Sequence, residues 1–431
     1  MEKRAPVAAP ADDLLLINAS IVDPESRKVR KGNLLIRGGV VIAAPAGAVK
    51  GFTGQVIDLK GKWIIPGLND LHTHSFGNQP AWGPAGDAPG TPGIAVRLLA
   101  VGVTGFLDLF GDENGLFQIR AQQHAGELGG ADVFASLSCL TAPKGHCSEY
   151  GVPTRTMSTP VEARAVVADL ALRKPDVIKI VYQPSGTLPS IDKPTFAAAV
   201  DEARKHGLKT IVHIGTWEEV SDAIEVGATA VTHIPDPAIP AGMAARMAKS
   251  GIAFIPTLAV ETDFEDFVYD PAVLDNPMAR AVTTPAVIAA YRAKDFIAGA
   301  DKNRAANEAI QRVALTNVKA AADAGVTILL GTDAGNWGTL QGYSVHRELM
   351  IMVEAGLSPW QALAASTNLA GDFLGRSFGV NPGDEANLVI LDASPIADIR
   401  NTQAIAMVIH HGRIVDRQAL LASPIAGLVA R

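Results

Sequence analysis

Hydrophobic positions along this chain fall into three textures. From about Asp13 to Ile65, short apolar runs such as Leu14-Leu15-Leu16-Ile17, Leu34-Leu35-Ile36 and Val40-Val41-Ile42 are separated by Gly, Lys and Pro turns, the pattern of small antiparallel β structure. The texture returns in Leu388-Val389-Ile390-Leu391, Ala406-Met407-Val408-Ile409 and Gly412-Arg413-Ile414-Val415. Both ends, residues 13–65 and 376–431, are therefore expected to build one β-sandwich. Between them, over residues 66–375, apolar strands alternate with helical stretches, the signature of βα units and a parallel sheet.

Eight strands are predicted: Ile64 to His74, Gly105 to Leu109, Val133 to Leu137, Val177 to Tyr182, Thr210 to His213, Ala230 to His233, Ala253 to Pro256 and Thr327 to Asp333. Eight such repeats close as a (β/α)8 TIM barrel, so the expected class is α/β, a barrel with a small sandwich formed by both chain ends. Ala-rich amphipathic helices are predicted at Val161 to Leu172, Lys193 to His206, Ala241 to Lys249, Asn303 to Ala324 and Pro359 to Ala370. Glu261 to Lys302 is too long for an ordinary connection and reads as a helical excursion over the barrel mouth.

The chemistry lies where polar residues end or interrupt these runs. His72 and His74 close strand one and, two positions apart, share one face. His213, His233 and Asp333 close strands five, six and eight. Enzymes on this barrel react at the C-terminal ends of the strands. Lys179 interrupts Val177-Ile178-Lys179-Ile180-Val181, a run that otherwise reads as buried strand. A buried ammonium is costly unless paired or chemically altered; the bland alternative is that it snorkels to solvent. Carboxylated on Nζ, it becomes an oxygen ligand able to bridge two cations. Neutral imidazoles suit zinc, and a carboxylate beside an activated water can carry a proton. The expected metal ligands are His72, His74, Lys179, His213, His233 and Asp333, holding two divalent ions, Zn2+ foremost, with Asp333 as proton carrier. Asp70 is expected to orient or cap strand one.

Composition narrows the partners. The 431 residues are 48% hydrophobic but only 5% aromatic, which suits an aliphatic, close-packed α/β core. A net charge of −7 without a long basic run excludes the electrostatic footprint of a nucleic-acid or anionic-membrane binder, leaving a small-molecule substrate. No apolar stretch approaches the roughly 20 residues that span a bilayer. The two cysteines, Cys139 and Cys147, share one segment, so no disulfide framework is expected and a reducing, cytoplasmic setting is compatible. Residues 1–12, Pro/Ala-rich, read as a flexible lead-in, and a removed signal peptide stays open.

The segments Pro66-Gly67-Leu68-Asn69-Asp70-Leu71-His72-Thr73-His74 and Gly331-Thr332-Asp333-Ala334-Gly335, with Lys179, His213, His233 and the closing run Gly383 to Leu391, resemble the metal-dependent amidohydrolase superfamily. The resemblance spans nearly the whole chain and is nearest the imidazolonepropionase-like and Xaa-Pro dipeptidase-like branch. It implies that His72, His74 and Asp333 hold a buried metal, His213 and His233 an exposed one, and carboxylated Lys179 both, with a hydroxide between them attacking an amide. His146 resembles a substrate-facing histidine of this branch. Tyr182 either donates its hydroxyl to the substrate carbonyl or shields the carbamate. His346 is expected to support the site by a hydrogen bond, whereas His124, His206, His410 and His411 lack strand-end context and read as surface or structural. Amidohydrolases of this kind commonly form homo-oligomers.

The expected function is hydrolysis of an amide or peptide-like C–N bond of a small substrate, such as an N-acyl amino acid or dipeptide. The same site serves a lactonase or phosphotriesterase-type esterase, or, with one metal, a cyclic-amide hydrolase or deaminase. From another class, a non-enzymatic assembly protein would carry no stoichiometric metal. Trp82, Trp217 and Trp337 lie on loops expected either to shape the substrate pocket or to pack a lid.

Overall fold

The computed structural model describes residues 13–45, 47, 49–75 and 90–422. The expected lead-in, Trp82 and most of the loop from Asn78 to Thr91 lie outside the described residues.

Along the chain the strands are β1 Leu14–Asp23, β2 Lys28–Arg37, β3 Val40–Ala43, β4 Gln55–Asp58 and β5 Trp63–Pro66, then β6 Leu68–Thr73, β7 Val103–Asp108, β8 Asp132–Ala135, β9 Cys139–Thr141, β10 Arg155–Thr156, β11 Val177–Val181, β12 Lys209–His213, β13 Ala230–Thr232 and β14 Ala253–Ile255, and finally β15 Leu388–Leu391, β16 Ile405–His410 and β17 Arg413–Ile414. The two chain ends do come together. Hydrogen bonds join them in the order β17-β16-β15-β5-β1-β2-β3, with β4 also on β1, so the two layers of the expected sandwich are not separate sheets but one eight-stranded sheet. Its alternation buries one apolar face, built from Leu14, Leu16, Ile21, Leu34, Ile36, Ile64, Leu388 and Ile390.

In the central region every strand pairing is parallel. It registers as two sheets, β6-β7-β8 and β10-β9-β11-β12-β13-β14. The break falls inside predicted strand three, where Leu137 takes a left-handed backbone (φ 66°) that no extended ladder tolerates. The part before it pairs with β7, and β9 after it pairs with β11. Predicted strand eight is present only as isolated bridges, Ile328 to Phe254 on one side and Ala334 to Thr73 on the other. Its ladder is irregular because Thr332 and Asp333 both donate to the His72 carbonyl, at 3.2 and 2.7 Å.

Strand alternation decides what the site rests on. Val177 and Ile211, two residues before Lys179 and His213, belong to an apolar cluster with Leu107, Phe134, Ile255 and Leu329. The intervening Ile178, Ile180 and Val212 pack into the larger core against the helices. Lys179 and His213 thus rise from the face that forms an apolar floor.

The expected excursion after β14 is helical: Leu258–Tyr269, Pro271–Asp275, Pro277–Val282 and Pro285–Tyr291 lead into the long helix Lys294–Asp323. Each of the three short helices starts on Pro behind a capping Asp270, Asn276 or Thr284, the residue types that terminate one helix and begin another. Among the described residues no helix is long and apolar enough to cross a membrane.

Candidate metal centre

Residues from five strands converge on one cavity of about 350 Å³ lined by His72, His74, Lys179, His213, His233 and Asp333, the six expected ligands. Asp333 is central. Its Oδ1 lies 3.2 Å from His72 Nε2 and 2.9 Å from His74 Nε2, and its Oδ2 lies 3.9 Å from His233 Nδ1. The ring of His233 stands 4.9 Å from that of His72 and 4.4 Å from that of His213. Asp333 and His233 both adopt left-handed backbones (φ 55° and 74°), a strain that persists where surrounding contacts impose it and that concentrates at functional sites. Gly331 permits the crowding, since a Cβ there would come within 2.7 Å of His72 Cβ and 2.5 Å of Ile255 Cγ2.

Hydrogen bonds behind these histidines set their direction. His72 Nδ1 lies 2.6 Å from Thr232 Oγ1, His233 Nδ1 3.1 Å from Thr257 Oγ1, and His74 Nδ1 3.4 Å from the Phe110 carbonyl. Such contacts leave Nε2 of His72 and His74 facing Asp333. Asp70 does what strand one implies: its carboxylate accepts from the His72 and Thr332 amides at 3.1 Å each and from the Thr332 hydroxyl at 2.6 Å, tying strand one to strand eight.

Electrostatics favour metal donors over ion pairs. Burial pushes His72 down to about 3 and holds His213 and His233 well below the usual imidazole range, so their lone pairs are available. Burial raises Asp333, but His72 and His74 more than reverse this and keep it a carboxylate. Burial brings Lys179 down to about 7 against the opposing charge of Asp333. Asp333 Oδ1 is buried without a hydrogen-bond partner although two imidazole nitrogens stand close. Three donor atoms gathered within 4.8 Å of one another, one of them a carboxylate oxygen with no hydrogen bond, suit a cation site, so the residues present fit a metal.

The other expected residues divide. His146 lines the cavity, its ring 4.6 Å from that of His213 and its Nδ1 2.6 Å from Glu149. Tyr182 does not line it: its hydroxyl donates to Asp222 at 2.7 Å and its ring stacks on Phe196, because it follows Ile180 on the helix-facing side. Neither reading of Tyr182 as a substrate or carbamate contact fits that position. His346 is also remote from the cavity, bonded to the Val101 carbonyl at 2.9 Å and close to Thr402. Trp217 reaches the Pro237 carbonyl, and Trp337 stacks on Phe296 of the helical excursion. Contrary to the sequence expectation, Cys139 and Cys147 form a disulfide, which fastens the loop carrying His146 to the strand beside Lys179.

Sequence reasoning missed Gln183, whose Oε1 lies 3.2 Å from His213 Nε2, and Tyr150, Asp236, Glu261 and Asn336, which line the cavity. Burial together with Asp236 and Asp333 raises Glu261 to about 7. All five sit on loops or helix starts with no pattern to mark them. A larger depression of about 800 Å³ over the eight-stranded sheet, lined by Leu15, Phe52 and Val56 among others, holds no histidine or carboxylate.

Parallel strands thus carry a His/Lys/Asp cluster at and near their C-terminal ends, where α/β enzymes hold their reacting groups. Residues 63–415 match the model of the amidohydrolase family, and the chain belongs to that family. Similar solved structures include a Xaa-Pro dipeptidase with bound methionine in its active site (20% identity, TM-score 0.75, 94% of this chain and 99% of that one) and A. niger ochratoxinase (19% identity, TM-score 0.74, 98% and 99%). An uncharacterized protein of Mycobacterium tuberculosis is 25% identical over 349 residues, 78% of this chain and 80% of its own length. Matches to the adenine deaminase of Desulfatibacillum aliphaticivorans (39% identity) and the dihydroorotase of Carboxydothermus hydrogenoformans (36%) each cover 14% of this chain, and only 10% and 14% of those proteins. At these identities the structural likeness speaks for a TIM-barrel-like α/β fold, and family membership makes the chain an enzyme, a hydrolase.

Proposed function

We propose that this protein is a binuclear metal-dependent hydrolase that cleaves an amide or peptide-like C–N bond of a small substrate, an N-acyl amino acid, a dipeptide or a related amide. The observation that carries the reading is the buried, unbonded Asp333 Oδ1 facing the Nε2 atoms of His72 and His74 in the cavity that also contains Lys179. His72, His74 and Asp333 would hold one divalent ion, His213 and His233 a second, and Lys179, carboxylated, both. A lysine brought to about 7 has the neutral amine that carboxylation requires. When bound, the cations, Zn2+ foremost, supply a water of lowered pKa and polarise the scissile carbonyl.

The remaining steps fall to the chain. Asp333 is held as a carboxylate, so it can take a proton from the attacking water and return it to the departing amine. His146, at the cavity wall, is positioned to contact the substrate. The apolar floor beneath Lys179 and His213 keeps bulk water from the lower side of the site, which strengthens each electrostatic contact within it.

The same reading treats residues 66–375 as one closed eight-stranded barrel, supported by the bridges from strand eight to β14 and β6. It treats 13–65 with 376–431 as one flanking domain built on the eight-stranded sheet, supported by that region's separate apolar cluster. A mononuclear reading is favoured by one observation: His72, His74 and Asp333 are the cavity residues whose ligand atoms all lie within 4.8 Å of one another. Counting metal in Lys179→Ala separates the two. The binuclear centre predicts loss of metal and of amide turnover together; full activity with full metal would end it.

A further inference from the structure

The tight hairpin between β16 and β17 brings two consecutive histidines, His410 and His411, against Asp132, the first residue of β8. Successive strand residues normally point to opposite faces. His411 departs from that rule through its left-handed backbone (φ 49°), a region that histidine enters more readily than most side chains. The two rings consequently stand 4.0 Å apart on one side of the turn. The turn itself is fixed, with the His411 amide donating to Asn387 Oδ1 at 2.7 Å and the Gly412 amide to the Ala386 carbonyl at 3.0 Å.

Asp132 Oδ1 lies 2.8 Å from His411 Nε2 and 3.5 Å from His410 Nε2. Donor atoms about 2.0–2.1 Å from a shared tetrahedral ion stand roughly 3.4 Å from each other, so these edges suit one. The spacing parallels that of Asp333 with His72 and His74, at 3.2 and 2.9 Å. Two further atoms call for a partner: Asp132 Oδ2 and His410 Nε2 are buried and make no hydrogen bond. Arg376, whose charge also acts on this corner, is held by Glu385 through two bonds of 2.6 and 2.7 Å, leaving the Asp132 carboxylate to the histidines.

We propose that Asp132, His410 and His411 form a second site for a divalent transition-metal ion such as Zn2+, separate from the centre at Asp333. Asp132 opens its strand, whereas the cavity residues close theirs, so this ion would sit at the opposite end of the parallel strands. There it would clamp the hairpin of the eight-stranded sheet to β8, in a region where barrel residues serve stability rather than chemistry. Three protein donors leave a fourth position for water.

The test uses the full chain, stripped with a chelator and titrated with Zn2+ alone. Bound metal is counted by elemental mass spectrometry, and Tm is followed with and without the ion, in the parent and in Asp132→Asn, His410→Gln and His411→Ala. The site predicts one metal equivalent fewer in each variant, loss of part of the Zn2+-induced rise in Tm, and amide turnover like that of the parent. His72→Ala should keep this equivalent. Equal metal counts and equal Tm responses in parent and variants would overturn the proposal. His410→Gln, the mildest change, keeps the test open if another variant fails to fold.

Discussion

A lysine with 3% exposure between Ile178 and Ile180 is tolerated because Asp333 faces it, and His72, His213 and His233 stay neutral because burial disfavours their charged forms. The aim of each imidazole depends on what its other nitrogen touches. Thr232→Val removes the oxygen 2.6 Å from His72 Nδ1 and should lower metal affinity or kcat/KM by about 10–100-fold with little change in Tm, checked by metal titration and steady-state kinetics. Unchanged affinity and rate would mean that Thr232 does not orient the ring. The disulfide beside His146 suggests a second outcome. In Cys147→Ser the loop is no longer fastened to β9, so KM should rise by up to about tenfold, on the order of 1.4 kcal/mol, at constant metal content. That these six residues belong together was readable from sequence because each ends or breaks an apolar run, and one cavity collects them. Tyr182 was misread because it follows Lys179 by three residues, an odd offset on a strand, which turns it to the other face. Gln183 and Glu261 carried no such mark.

At the level of elements, strands were legible where a short apolar run stood between polar or turn residues, as in β11, β12 and β14. Three of the longer helices were not anticipated: Gly90–Ala100, Glu113–His124 and Trp217–Val226. The first is buried on nearly all sides and so lacks a polar stripe, and Glu113–His124 buries only Leu116 and lacks an apolar one. Trp217–Val226 did carry a start signal, the capping box of Thr216 and Glu219. The buried helix Tyr343–Glu354 is tied to Val101 by His346, which burial brings down to about 4. An unfolded histidine titrates near 6.5. The folded chain therefore holds fewer protons than the unfolded one between about pH 4 and 6.5, and stability falls as pH drops through that window, by up to about 3 kcal/mol. Denaturant titrations at pH 7 and pH 4.5 should show this loss, and His346→Asn should reduce it while lowering stability at pH 7. A parent curve that stays flat across the window would contradict the assignment.

On the scale of the whole molecule, the two chain ends meet in one sheet that shares hydrogen bonds with the central region, as between Gly67 and Asn387 at 2.7 Å. That meeting was legible in the repeated texture of both ends, but its single-sheet form was not, because pairing order is decided by partners hundreds of residues apart in sequence. The same holds for the corner where Asp132 meets His410 and His411 from the far end of the chain, which no local pattern marks. The proposed binuclear centre lies at the other end of the strands, and elemental mass spectrometry on Asp132→Asn, prepared with bicarbonate and without chelator, reads it out, with amide hydrolysis measured on the same sample. About two divalent ions per chain with turnover are expected, and loss of both in the further variant Lys179→Ala. Turnover without metal, or two ions retained at full activity after Lys179→Ala, would contradict the binuclear centre.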